Sequence, residues 1–143
     1  MFVGEFDRSV DGAGRLALPA DFRDDLGAKC YVTCDPDGFV KITTEENFRT
    51  EADFLREQVR TGLQPASALR AFGTKTQIAS IDKQGRITLD EATRRHAGLR
   101  GQAVIAGAID HLEIWRPSRF HQVGTEHEVV APSRHWNDVD DDE

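Results

Sequence analysis

The segment DGAGRLALPADFRDDLG, Asp11 to Gly27, returns 71 positions later as DKQGRITLDEATRRHAG, Asp82 to Gly98. Each copy opens with Asp-x-x-Gly-Arg, runs through a short polar–apolar alternation, and closes a charged stretch with Gly. The match continues further. With one extra residue in the second copy, Val32 aligns with Val104, Val40 with Leu112, Ile42 with Ile114 and Phe48 with Phe120. Equivalent apolar positions on one alternation imply two copies of a single supersecondary unit. A unit of roughly 45 residues is marginal as an independent core. The duplication therefore predicts two copies packed on each other.

Local signals order the elements within each copy. A short alternating strand leads in, around Gly4 to Val10 and again around Thr76 to Ile81. Asp-x-x-Gly is a turn, with Gly14 and Gly85 at the position where positive φ is cheap only for glycine. RLAL and RITL alternate as half-buried strands do. Pro19 and Asp90 then mark one helix start by different chemistry, fixed φ in one copy and a side-chain cap in the other. ADFRDDL and EATRRHA make about two helical turns, ended by Gly27 and Gly98 as the residues just past the helix. A hairpin follows, turning at DPDG in the first copy.

Between the copies, TEENFRTEADFLREQVRTG reads as a helix capped by Thr44, with Phe48, Ala52, Leu55 and Val59 on one stripe. Pro65 is expected to begin a second helix, closed by Gly73. These helices either cover the sheet or offer a side on which subunits pack. The resulting boundaries are 5–48 for the first copy, 49–75 for the helical linker, 76–121 for the second copy, and 122–143 for a mobile acidic tail.

Charge and composition narrow the function. The net charge is −7, but five of the last six residues, DVDDDE, are acidic, and without them the balance is −2. The arginines cluster around the repeated motif, and distribution matters more than the sum. No stretch approaches the roughly 18 apolar residues needed to span a membrane. MFVGEFDRSV lacks the basic and apolar blocks of a signal peptide, so a cytoplasmic protein is expected. Cys30 and Cys34 lie on one strand, about 13 Å apart along it. That is too far for a disulfide, and both are expected to be buried, small apolar residues. The five histidines are scattered without metal-ligand spacing. No Gly-rich phosphate loop or nucleophile elbow is present, so no cofactor, metal, small-molecule substrate or catalytic residue is expected. Trp115 reads as core. Trp136 reads as a solvated tail residue or a partner anchor.

MFVGEFDRSVDGAGRLALPADFRDDLG, SIDKQGRITLDEATRRHAGL and HLEIWRPSRF together resemble the MraZ family, over roughly residues 1 to 122. The resemblance implies an α+β fold: an AbrB-type swapped-hairpin β-barrel formed by two SpoVT-AbrB-like repeats within one chain. It also implies a ring-shaped homo-oligomer and sequence-specific binding to direct repeats in promoter DNA of the bacterial division and cell-wall gene cluster. The regulator is read as a repressor working at the nucleoid. TCDPDGFVKIT is a less usual first hairpin for the family, and the acidic extension after Val130 is additional.

The motif residues carry two readings. Asp11, Gly14, Asp82 and Gly85 build the turns. Arg15 and Arg86 emerge just past each bend, where a planar guanidinium suits phosphate or guanine edges. They either clamp the turns, through carbonyls or Asp11 and Asp82, or contact DNA, or both. The resemblance favours DNA contact. Arg8 and Arg23 surround the first turn, and Lys83 and Arg94 the second, as flanking DNA-binding candidates. The alternative function is a protein-binding, antitoxin-like module with a MazE-type barrel. Against it stand the two repeats and a tail with few apolar anchors.

Overall fold

A computed structural model of the chain describes residues 1–127, and side chains through residue 124. The first copy comprises β1 (Glu5–Ser9), β2 (Arg15–Ala17), α1 (Ala20–Leu26), β3 (Lys29–Cys34) and β4 (Val40–Thr43). Two helices follow, α2 (Glu45–Arg60) and α3 (Ser67–Thr74). The second copy repeats the order as β5 (Thr76–Ser80), β6 (Arg86–Thr88), α4 (Glu91–Ala97), β7 (Gln102–Gly107) and β8 (Leu112–Trp115), and α5 (Pro117–His127) follows.

The strands form a six-stranded antiparallel sheet, ordered β1-β7-β8-β4-β3-β5, and a separate ribbon of β2 and β6. Only the β3–β4 and β7–β8 hairpins pair within a copy. Every other ladder joins the copies: β1 to β7, β5 to β3, β4 to β8 and β2 to β6. The lead strand of each copy thus completes the sheet of the other, which is why neither copy has a core by itself. The sheet is open, with β1 and β5 at its edges, and its ladder does not close into a barrel.

The alternation read from the sequence decides what points inward. Leu16 and Ile87 face each other across the ribbon, and both are fully buried. They join Leu18, Leu89, Val40, Ile42, Ile105, Leu112 and Ile114 in one core. Burying each such side chain contributes about 1.5–3 kcal/mol. Cys30 belongs to this core, and burial pushes its thiol up to about 11, so it stays protonated filler. Cys34 is only half-buried; both thiols are free.

Helix ends follow their local chemistry. Asp90 Oδ1 accepts the Thr93 N–H at 2.8 Å, and Thr44 Oγ1 accepts the Asn47 N–H at 3.0 Å. Gly27 and Gly98 take positive φ past α1 and α4, as expected. Gly73 does not end its helix: α3 runs from Ser67 through Gly73 to Thr74. Its last carbonyls are satisfied by hydroxyls instead, Thr74 Oγ1 to Arg70 O at 2.8 Å and Thr76 Oγ1 to Phe72 O at 2.9 Å. No left-handed glycine is then needed.

The linker stripe does face the body, with Phe48, Ala52, Leu55 and Val59 all half-buried. Phe48 is sandwiched between Tyr31 and Phe72, with ring centroids at 4.5 and 5.1 Å. Trp115 is core, stacked on Phe39 at 4.7 Å. Phe120 packs against it, so α5 is the second copy's equivalent of α2 and continues beyond residue 121. The acidic tail and Trp136 lie outside the described residues.

Candidate nucleic-acid interface

Each Asp-x-x-Gly-Arg segment folds around its aspartate. Asp11 Oδ1 accepts the backbone N–H groups of Ala13 (3.0 Å) and Arg15 (2.8 Å). Asp82 Oδ1 does the same for Gln84 (2.9 Å) and Arg86 (2.8 Å). The glycine N–H closes the turn onto the aspartate carbonyl at 2.9 Å in both copies. Gly14 and Gly85 sit at φ +85° and +78°, left-handed values that disfavour a side chain.

The second carboxylate oxygen holds the arginine. Arg15 Nε donates to Asp11 Oδ2 at 2.7 Å, and Arg86 Nε to Asp82 Oδ2 at 3.0 Å. The backbone N–H of Arg15 is the largest influence holding the Asp11 carboxyl below its ordinary value, with the guanidinium adding to it. Arg86 acts likewise on Asp82. Only Nε is consumed. The terminal nitrogens of both arginines carry no protein hydrogen bond among the described residues, and the side chains are 44% and 29% exposed.

The ribbon sets the two arginines beside each other. Arg15 lies opposite Thr88, and Ala17 opposite Arg86. With Leu16 and Ile87 turned inward, these four residues share the outer face. Arg15 and Arg86 are diagonal neighbours, about 7–8 Å apart. Ala17 and Thr88 keep the face between them low. The major groove of B-DNA is wide enough to admit a two-stranded ribbon, and a guanidinium is a planar fork whose geometry matches base edges and phosphates.

Arg23 and Arg94 are placed differently. Arg23 Nε donates to Leu18 O at 3.1 Å and Arg94 Nε to Leu89 O at 3.0 Å, and both side chains are half-buried. The Arg23 guanidinium lies over Gly85, and Arg94 over Gly14, where any Cβ would overlap them. Leu18 N–H also bonds Gly85 O at 3.0 Å, and Leu89 N–H bonds Gly14 O at 2.8 Å. Each copy's helix therefore clasps the other copy's turn. The clasp is absent from any reading of one copy alone. Its one sequence signal is that Arg23 and Arg94 are themselves 71 positions apart.

The remaining candidates are placed unequally in the two copies. Lys83 is exposed in the second turn, where the first has Gly12. Arg8, on the edge strand β1, lies 5.5 Å over the Phe6 ring and donates to Asp7 O at 3.0 Å. Its counterpart is Ala79, so it has no twin. Thr88 and Ala17 share the face with the arginines although neither stood out in the sequence; the RLA and RIT alternation was the signal for them.

Fold and site together define an internally duplicated α+β protein that displays a paired-arginine β-ribbon. Known proteins are similar to it in sequence. A family model described as "MraZ protein, putative antitoxin-like" matches residues 72–135. The chain is 37% identical to the transcriptional regulator MraZ of Nocardia farcinica and 36% identical to that of Mycobacterium ulcerans. It is 34% identical to that of Ligilactobacillus salivarius, each over 128 residues and 90% of both chains. The chain belongs to the MraZ family.

Proposed function

We propose that the chain is a sequence-specific DNA-binding transcriptional regulator that reads DNA with the β2–β6 ribbon. The relatives' name supports the class. The observation that carries the site is the pair Arg15 and Arg86, adjacent on one exposed face with free terminal nitrogens. Arg8, Lys83, Arg23 and Arg94 flank it, the last two through the guanidinium nitrogens their Nε bonds leave over. Regulation of promoters would place the protein in the cytoplasm at the nucleoid. No described helix is long and apolar enough to cross a membrane.

The family resemblance carries the reading further. The targets are direct repeats upstream of division and cell-wall genes, the direction is repression, and the protein is a ring of copies of this cross-paired fold. One ribbon offers two arginines and binds weakly. Several ribbons on repeated boxes gain factors of about 10² to 10⁴ through effective concentration.

The test is binding of the full chain to DNA upstream of its own gene, by gel shift and fluorescence anisotropy. Arg15→Ala is expected to abolish most specific binding and Arg86→Ala to weaken it, by about 1–3 kcal/mol for each lost base contact. Neither should lower the melting temperature by more than a few degrees, since the backbone N–H bonds to Asp11 and Asp82 remain. Unchanged affinity in both variants puts the DNA surface elsewhere. Capture of a small protein partner with no DNA binding supports the antitoxin-like alternative instead.

A further inference from the structure

The repeat builds one cleft twice, where the end of the short helix meets the start of the copy's last helix, and gives the two opposite charge. The first, of about 350 Å³, is lined by Asp25, Glu46 and Asp110. The second, of about 200 Å³, has His96, Arg116 and Arg119 at the positions that match Asp25, Thr44 and Asn47. The basic cleft does not end there. It shares Arg95 and Gly98 with a neighbouring cleft of about 240 Å³, which adds Arg94 and Arg100.

These arginines form one continuous surface whose charge is largely unspent. Among the described residues Arg100, Arg116 and Arg119 enter no ion pair, and Arg94 uses only Nε, on Leu89 O. Arg95 stands 3.6 Å from Glu91, an exposed pair. Asp35 and Asp37 belong to the turn that carries Gly38. Asp35 Oδ1 accepts the Asp37 N–H at 2.9 Å, and Asp35 O accepts from His96 Nε2 at 2.6 Å. At its far end the surface reaches the ribbon, because Arg94 lies over Gly14, next to Arg15.

We propose that the acidic C-terminus of this chain, Asp138 to Glu143, docks on this arginine surface and so keeps DNA off the ribbon. The docking stands by itself; its inhibitory effect rests on the DNA reading above. DVDDDE brings five carboxylates to a surface short of them, and the acidic twin cleft repels the same segment. Reach is sufficient. Arg116 directly precedes α5 and Arg119 lies in its first turn, and the 11 residues of α5 rise about 16 Å. Residues 128–137 span up to about 33 Å when extended, enough for the acids to return along the helix to the cleft. Tethering gives the segment a millimolar effective concentration, so weak, exposed ion pairs suffice. Carboxylates held beside Arg94 repel a phosphate backbone approaching Arg15, over a screening length of about 10 Å at 0.1 M salt.

The test compares the full chain with one ending at Asn137, both checked for folding by far-UV circular dichroism. Phenylglyoxal labelling read by mass spectrometry needs no DNA. At low salt Arg116 and Arg119 are expected to react about threefold or more slowly in the full chain, and at about 0.5 M salt equally in both. Equal reactivity at low salt overturns the docking, whatever the chain does with DNA. In gel shifts at low salt, deleting the segment is expected to tighten DNA binding by about threefold or more, since a docked molecule is withdrawn from binding. With Arg116→Gln and Arg119→Gln in place, the same deletion is expected to gain nothing. A gain that persists there means that the acids repel DNA without docking, and it overturns the proposal. If that pair misfolds, Arg95→Gln with Arg100→Gln, both exposed, gives the same reading. Protected arginines with unchanged DNA affinity on deletion overturn the inhibition. Protected arginines in a chain that binds no DNA sustain the docking and remove the DNA reading instead.

Discussion

Around Gly14 and Gly85 the two copies agree bond for bond: an aspartate taking two N–H groups, an arginine on its second oxygen, and an arginine of the other copy lying over the glycine. Around Gly38 and Asp110 they have opposite charge. The difference lies in what the side chains face. At the turns, each copy's arginine is packed onto the other copy's glycine. At the two clefts both copies also contribute lining residues, Asp110 beside Asp25 and Glu46, and Gly38 beside His96, Arg116 and Arg119, but there the charged side chains open to solvent.

That comparison can be broken at several depths. The deepest cut is Leu16→Ala or Ile87→Ala. Both side chains are fully buried and face each other, so each loss should cost about 3–5 kcal/mol in urea unfolding, alike within about 1 kcal/mol. A large inequality means that one copy folds without the other.

Next come the glycines, where the twins should separate. A Cβ at Gly14 would lie nearest the Leu89 carbonyl oxygen, which is backbone; at Gly85 the three nearest atoms all belong to the Arg23 side chain. Gly14→Ala should therefore cost about 3 kcal/mol, combining left-handed strain with overlap, and Gly85→Ala about 1–2 kcal/mol. Adding Arg23→Ala should recover part of the Gly85→Ala loss, whereas Arg94→Ala should not rescue Gly14→Ala. Strict additivity in the first pair contradicts the clasp.

The smallest effect is on acid stability. Asp11 and Asp82 have folded pKa values below the ordinary aspartate value of about 3.9. Their contribution is present in full above that value and is lost as pH falls through the lowered folded pKa. Asp11→Asn and Asp82→Asn should each flatten the stability profile below about pH 4 by the same small amount, measured by thermal melts against pH. Unequal flattening means that the turns are not electrostatic twins.

Short-range signals were enough for the local elements. The Asp90 and Thr44 caps, the glycine helix ends, the linker stripe and the core alternation all depend on residues within about four positions of one another, and each is where the spacing puts it. Gly73 misled because a glycine only permits a helix to end; nearby Thr74 and Thr76 hydroxyls supplied the carbonyls' bonds and let α3 run on. The continuation of α5 past residue 121 was hidden because its anchor, Phe120 on Trp115, is a tertiary contact.

The sequence by itself determined that there are two copies, what each is made of, and that neither has enough apolar surface to stand alone. Tertiary structure alone decided how they join. A strand pairs equally well with its own copy or with its twin, since the two have the same alternation. The cross-pairing of β1 with β7 and β5 with β3 is a choice made by the whole core. The same choice sorted the arginines. Arg15, Arg23, Arg86 and Arg94 look alike in the chain, yet two stand out on the ribbon and two lie across the other copy's glycines. A guanidinium has no preference between a carbonyl and a carboxylate until the fold decides which one it can reach.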